Sequence, residues 1–154
     1  MTSEPPSGRL AGIDYGTVRI GVAVTNASQT LASPYEIYTR RAKDADAGYF
    51  RHLVSTESIT RFVVGLPVHT DGRESQKSLE AQEFGRWLQE ITGIPVDYFD
   101  ERFTTAAAEE ILLAQGLTKQ RRKERLDKLA AQILLTAYLE SPQRGNAVPH
   151  ALDD

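Results

Sequence analysis

Short apolar segments separated by turns dominate the chain. Five of them have the length and apolar character of β-strands: residues 9–14, 19–26, 31–38, 62–66 and 95–99. The third contains Pro34, which suits a strand at the edge of a sheet, and Pro67 ends the fourth. The links between the first three are short and favour an antiparallel meander, because a parallel crossover needs about a dozen residues.

Helical spacing of apolar residues fills the later intervals. The first helix is predicted to have Asp44 or Asp46 as its N-cap. A second runs from about residue 75 to 92 and stops at Gly93. A third begins at Thr104 or Thr105 and ends near Gly116, and the last covers residues 124–140. The apolar stripes that we expect to face the core are Phe50, Leu53 and Val54; Phe84, Trp87, Leu88 and Ile91; Ile111 and Leu112; and Leu126, Leu129, Ala130, Ile133, Leu134 and Ala137.

This order of elements predicts the fold class. Three strands followed by alternating helices and strands indicate a mixed α/β sheet with helices on both faces. The later β-α-β steps should be parallel and right-handed. A chain of 154 residues suffices for one domain, which we place at residues 9–140. Residues 1–8 and 141–154 are rich in proline and polar residues, and we expect a disordered N-terminal tail and a flexible C-terminal tail.

Composition removes several classes of chemistry. The sequence has no cysteine, which excludes disulfides, zinc-thiolate sites and cysteine nucleophiles. Its N-terminus lacks the features of a signal peptide, and no segment approaches the length of about 18 to 20 apolar residues that spans a bilayer, so a cytoplasmic protein without membrane contact is expected. The net charge of −3 argues against bulk, non-specific binding of nucleic acid but is silent about a local basic patch.

Three carboxylates stand at element boundaries. Asp14 ends the first strand, Glu101 follows the last strand, and Asp127 falls in the first turn of the predicted last helix. Parallel strands end at one edge of a sheet, where ligands bind in α/β folds. Converging carboxylates repel one another unless a cation neutralises them, and Mg²⁺ or Mn²⁺ accepts oxygen ligands. We further interpret Gly12 and Gly16, beside Asp14, as leaving room for a phosphate group.

Each acid also has an ordinary structural explanation. Asp14 can support a turn, Glu101 can pair with Arg102, and Asp127 can favour a helix N-terminus. The tetrapeptide at residues 14–17, Asp-Tyr-Gly-Thr, also matches the first phosphate loop of actin/Hsp70-like ATPases, although one domain cannot close around a nucleotide as their two domains do. A catalytically silent module that binds RNA or protein is the third alternative.

A basic segment precedes Asp127. Five of the seven residues 119–125 are basic, and we predict a loop there that contacts nucleic-acid phosphates: Lys119, Arg121, Arg122, Lys123 and Arg125. Arg19 can contact a phosphate or pair with an acid. Arg102 can orient Glu101 or touch the substrate.

Four motifs in order resemble one family. They are residues 12–24 (GIDYGTVRIGVAV), 63–67 (VVGLP) with Asp71-Gly72, 100–105 (DERFTT) and 126–132 (LDKLAAQ). Over residues 10–139 the chain is similar to the YqgF (RuvX) family of Holliday-junction resolvases, also described as pre-16S ribosomal RNA nucleases, in the ribonuclease H-like superfamily. The resemblance implies a sheet in the order 3-2-1-4-5 with the second strand antiparallel.

The resemblance also implies an activity. Asp14, Glu101 and Asp127 would be the catalytic, metal-binding residues of a two-metal phosphodiester hydrolase that uses Mg²⁺ or Mn²⁺. Glu124, three residues before Asp127, is a candidate fourth ligand. The implied substrate is structured RNA, in particular the 5′ end of pre-16S rRNA during ribosome biogenesis, or else branched DNA. A junction resolvase would form a dimer, whereas an RNA-trimming enzyme need not, so a homo-oligomer stays open.

Overall fold

The computed structural model describes residues 8–67, 75–114, 116 and 118–141. Most of both predicted tails and the loop with Asp71 and Gly72 lie outside this range. In the last helix, the side chains at positions 119, 120, 122–125 and 127 also lie outside the description.

Five strands form one mixed sheet in the order β3-β2-β1-β4-β5. Strands β1 and β2 pair antiparallel, as do β2 and β3, whereas β1, β4 and β5 are mutually parallel. The predicted fold class, strand order and antiparallel second strand are therefore confirmed. The strands are β1 Arg9–Asp14, β2 Arg19–Thr25, β3 Ala32–Thr39, β4 Ile59–Leu66 and β5 Val96–Asp100.

Four α-helices and a 3₁₀ turn complete the described chain: α1 Lys43–Glu57, α2 Gln76–Thr92, the 3₁₀ turn Glu101–Thr104, α3 Thr105–Ala114 and α4 Lys119–Glu140. Helix α2 starts at the N-cap Ser75, whose Oγ accepts a hydrogen bond from the Ser78 N–H and donates one to the Pro67 carbonyl. It ends at Gly93 with φ of 73°, as predicted. No helix among the described residues is long and apolar enough to cross a membrane.

The start of α4 differs from the prediction. The helix begins at Lys119 and not at residue 124, because the Thr118 hydroxyl accepts a hydrogen bond from the Arg121 N–H and caps it. The basic residues that were predicted to form a loop are good helix formers, and they make up the first turns. Glu124 and Asp127 therefore lie further into the helix than its first turn.

The predicted cap of α1 is also wrong. Ala42 is the N-cap and makes no side-chain cap. Asp46 is instead buried, and its carboxylate accepts hydrogen bonds from the Tyr38 hydroxyl at 2.6 Å and the Arg41 N–H at 2.8 Å. A tertiary contact to β3 has taken the place of a local cap.

The sheet separates two apolar layers. Side chains that alternate along the strands pack on one face against α1 and α2, around Phe50, Phe62 and Leu88. On the other face they pack against α3 and α4, around Val63 and Leu135. The predicted stripes are buried or half-buried with one exception: Leu126 is 37% exposed, so the apolar face of α4 begins at Leu129.

Candidate active site

Asp14 lies at the carboxyl end of β1, on the face of the sheet that α4 covers. In the register of β1 and β2 it is opposite Gly21. A Cβ atom on Gly21 would lie 3.4 Å from the Cβ of Asp14 and 3.6 Å from the Cβ of Ala131 in α4. The missing side chain at position 21 thus leaves the space in which the Asp14 carboxylate and α4 approach each other.

Glu101 approaches the same place from the other side of β4. It is the first residue after β5, and its carboxylate lies over Gly65 of β4. A Cβ on Gly65 would be 2.6 Å from Oε2 of Glu101 and 3.2 Å from its Cγ and Cδ. Only a residue without a side chain allows Glu101 to cover β4 in this way.

The two carboxylates influence each other electrostatically. The pKa of Glu101 is raised to about 7. Burial is the largest cause, the negative charges of Asp14 and Asp100 add to it, and the positive charge of Lys77 acts in the opposite direction. A buried carboxylate beside a second negative charge is stabilised in its ionised form by a bound cation. The predicted convergence of Asp14 and Glu101 is what the structure shows.

A cleft of about 300 Å³ opens over these carboxylates at the carboxyl ends of β1, β4 and β5. Lys77 and Glu80, from the start of α2, form part of its wall. Neither residue was predicted from the sequence. The signal that could have found them is topological, because a helix that follows a parallel strand begins at the same sheet edge as the strand's tip.

Helix α4 brings Asp127 toward this edge. Asp127 lies one helical turn before Ala131, the residue whose Cβ is near Gly21. The side chains of Asp127 and Glu124 are outside the described part, so their roles as ligands stay predictions. Among the side chains that are described, no group of three acidic or histidine residues is placed to hold a metal ion. Asp14 and Glu101 supply two hard oxygen donors, which fit Mg²⁺ or Mn²⁺.

The two glycines beside Asp14 have other roles than the predicted one. A Cβ on Gly12 would lie 3.1 Å from both the Ala131 carbonyl oxygen and the Leu135 Cβ, so α4 fills that space. Gly16 does line the cleft, but a side chain there would collide with the Arg19 carbonyl oxygen across the β1–β2 turn. The interpretation of Gly12 as a place for phosphate is therefore wrong. At position 16, the turn between β1 and β2 is the main reason why a residue without a side chain is needed.

Three of the seven predicted nucleic-acid contacts have described side chains, and none of these three lines the cleft. Arg19 is exposed at the start of β2, and Arg102 donates hydrogen bonds from Nε to both carboxylate oxygens of Asp100. Arg121 is exposed in the first turn of α4. For the remaining four, only the position of the backbone in α4 is described: Lys119, Arg122, Lys123 and Arg125.

Comparison with solved structures defines the fold class. The chain superimposes on RuvC of T. thermophilus in complex with a Holliday junction substrate with a TM-score of 0.61 at 17% identity, covering 92% of this chain and 98% of that one. A second Thermus thermophilus RuvC structure gives 0.56 at 14% identity, with 92% and 99% coverage. The protein therefore has a ribonuclease H-like fold of the RuvC type.

Sequence comparison identifies the family. The RuvX family model, described as Holliday junction resolvase, matches residues 8–141. A protein of Rhodopirellula baltica named "Putative pre-16S rRNA nuclease" is 48% identical over 97% of this chain and 87% of its own length. One of the same name from Syntrophomonas wolfei is 39% identical over 89% of this chain and 97% of its own. The chain belongs to the RuvX family.

Proposed function

We propose that this protein is a metal-dependent nuclease that hydrolyses phosphodiester bonds in structured RNA, with the 5′ end of pre-16S rRNA as its substrate. One observation carries the chemistry: Asp14 at the end of β1 and Glu101 directly after β5 line one cleft closely enough for the Asp14 charge to raise the pKa of Glu101. The names of the relatives support the choice of RNA.

The residues of the cleft have separable roles in this mechanism. Asp14 and Glu101 would hold the divalent cation with Asp127 as the third ligand. When bound, Mg²⁺ or Mn²⁺ acidifies the attacking water and offsets charge on the phosphate and leaving oxygen. Glu101 releases its proton as the cation binds, since a ligating carboxylate must be ionised. Gly65 has no side chain, and this leaves the space that the Glu101 carboxylate occupies.

A second candidate is resolution of branched DNA. The description of the matching family names Holliday junction resolvase, which supports this substrate independently of the relatives' names. The same carboxylates would serve either reaction, because both substrates present the same phosphodiester. A resolvase that cuts two strands symmetrically would be dimeric, which sedimentation of the protein with and without a four-way junction would reveal.

Incubation of the purified protein with each of the two substrates tests the proposal. A 16S precursor with its 5′ extension and a four-way DNA junction are incubated separately with Mg²⁺ or Mn²⁺. We expect the RNA to be cut, and Asp14→Asn, Glu101→Gln and Asp127→Asn each to reduce the rate by about 100-fold or more. Asp44→Asn, the same chemical change at an exposed position of α1, should cut at the wild-type rate.

Each of the other outcomes would contradict the assigned site or favour a different function. Undiminished cleavage by Asp14→Asn would remove the assigned site. Cutting of the junction alone would favour the resolvase. RNA binding without cleavage in either metal would favour the silent module, and saturable binding of ATP without cleavage would favour the nucleotide-binding alternative.

A further inference from the structure

A second cavity adjoins the catalytic cleft and is not used by the proposed mechanism. It has a volume of about 430 Å³ and lies between the start of α1 and the middle of α2. Tyr15 and Glu80 line both cavities. We call this cavity the side groove. Because the two cavities share these residues, a strand whose phosphate reaches the carboxylates has its neighbouring nucleotide within reach of the groove.

Three aromatic rings form one wall of the side groove. The ring centroids of Tyr15 and Phe84 are 5.0 Å apart, and those of Phe84 and Trp87 are 5.4 Å apart. Phe84 is buried, whereas Tyr15 and Trp87 are half-buried, and all three line the groove. Half-buried aromatic residues in the wall of a groove are the side chains on which nucleobases stack.

Arg40 holds this wall in a fixed shape. Its guanidinium lies 5.4 Å from the Tyr15 ring centroid and donates a hydrogen bond of 3.1 Å to the Tyr15 hydroxyl. It also pairs with the buried carboxylate of Asp46 at 3.4 Å. These bonds use two of its five N–H donors, which leaves donors for a ligand. The arginine is thus preorganised, which lowers the entropy lost on binding.

The rim of the side groove carries charges of both signs. Lys43 and Arg86 are exposed on it, and so are Glu83 and Glu90. A continuous chain of phosphates would be repelled by the two glutamates. A nucleoside is a better match, because its base and sugar present donors to carboxylates and acceptors to cations, while its ring stacks on the aromatic wall.

We propose that the side groove binds the nucleoside that adjoins the cleaved phosphate, with Trp87 and Tyr15 in contact with its ring and Arg86 and Lys43 at its polar edges. This inference rests on the proposed function for the choice of nucleic acid as substrate and for the place of the cleaved phosphate at Asp14 and Glu101. Binding of the nucleoside itself needs no metal ion.

Trp87 supplies a direct test, because it is the only tryptophan in the sequence. Its fluorescence is followed while a short single-stranded RNA is added to the full chain in EDTA, which prevents cleavage. We expect saturable quenching by the RNA. Inorganic polyphosphate of the same total charge has no bases and should leave the emission unchanged. RNA that binds by anisotropy without altering Trp87 emission, or polyphosphate that quenches equally, would overturn the proposal.

Two arginine variants locate the effect. Arg86→Ala removes a cation from the groove and should weaken RNA binding about tenfold, the loss of one charge-assisted hydrogen bond. Arg51→Ala makes the same change on the exposed side of α1, outside the groove, and should leave the affinity unchanged. Equal weakening by both variants would contradict a defined subsite.

The two proposals fail separately in these experiments. Quenching by RNA in a protein that never cleaves would contradict the nuclease and leave the side groove as a nucleoside site. Cleavage with the expected loss in Asp14→Asn, but without any response of Trp87, would contradict the side groove alone.

Discussion

The contact between Glu101 and Gly65 determines where the second carboxylate of the site lies. Glu101 follows β5, yet its carboxylate covers β4, since position 65 has no side chain to occupy that space. Gly21 has the corresponding position beside Asp14. Both glycines belong to motifs that carry the family resemblance, but their role follows only once strand register places each of them next to an acid.

Gly65→Ala should therefore damage the site without damaging the core. The added methyl group would lie 2.6 Å from Oε2 of Glu101, closer than atoms can approach, so the carboxylate must move. We expect the cleavage rate and the affinity for Mn²⁺ to fall about 10- to 100-fold. Mn²⁺ binding is measured by calorimetry beside the cleavage assay. Gly48→Ala, at an exposed position of α1 with open space around it, is the control and should gain about 0.5 to 1 kcal/mol of stability.

Glu101 should also make the metal-free protein less stable as pH rises. Its pKa is about 7 in the folded state and near 4.5 when unfolded, so between these values the folded protein keeps a proton that the unfolded chain releases. The stabilisation is complete below pH 4.5 and is lost as pH rises through 7. We expect a loss of about 2 to 3 kcal/mol, which allows for screening at the open cleft.

Urea unfolding in EDTA across this pH range measures that loss. Glu101→Gln cannot ionise and should remove most of the slope, while added Mg²⁺ should restore stability to the wild type above pH 7 because the cation binds the ionised folded form. A slope that is unchanged in Glu101→Gln would show that another group is responsible.

The position of helix α4 on the sheet depends on glycines in the strands as well as on apolar side chains of the helix. Gly12 allows the backbone of α4 close to β1, and the fully buried Leu135 packs against it. The same approach places Ala131 beside Gly21, one helical turn after Asp127. The packing of α4 thus sets the distance of the proposed third ligand from Asp14.

Leu135→Ala should destabilise the protein by about 2 to 5 kcal/mol, because it leaves a cavity in the layer between α4 and the sheet. Leu113→Ala removes the same atoms at a position that is 69% exposed and should change the free energy of unfolding by less than about 0.5 kcal/mol. Chemical denaturation of the two variants beside the wild type makes the comparison. Equal losses would mean that the α4 layer is not tightly packed.

Most elements could be predicted from the sequence, because alternating and helical apolar spacing reports which face is buried. The predictions that were wrong concern residues for which local and distant partners compete. Aspartate is a residue type that favours N-caps, but Asp46 instead accepts a hydrogen bond from Tyr38 of β3. The charged residues from Lys119 onward suggested a loop, although they favour helix once Thr118 caps them. For the site, Asp14 and Glu101 could be predicted as strand-tip acids from the apolar pattern. The place of Lys77 follows only from the topology, because it depends on how α2 meets the finished sheet.

The complete molecule combines an acidic cleft with a basic first part of α4. The net charge is only −3, so binding of a polyanion depends on where the cations stand. Arg121 is exposed at the start of that helix, about two turns before Leu129, where the apolar face begins. We expect this end of α4 to hold the substrate beside the site.

The salt dependence of RNA binding tests this arrangement. If all five basic residues at positions 119–125 contact single-strand phosphates, log affinity should fall against log salt with a slope of about −3.5. Replacing Arg121, Arg122 and Lys123 by Ala should bring the slope to about −1.4. Fluorescence anisotropy at a series of KCl concentrations measures both. The same slope in the variant and the wild type would remove the basic segment from the interface.

The order in which the chain is synthesised determines when the proposed active site is complete. Asp14 leaves the ribosome early, whereas Glu101 and the whole of α4 emerge only after β4 and α2. A nascent or truncated chain that stops before β5 therefore carries only Asp14 of the three proposed ligands. On the proposed function, such a chain would not cut the transcripts around it while it is being made.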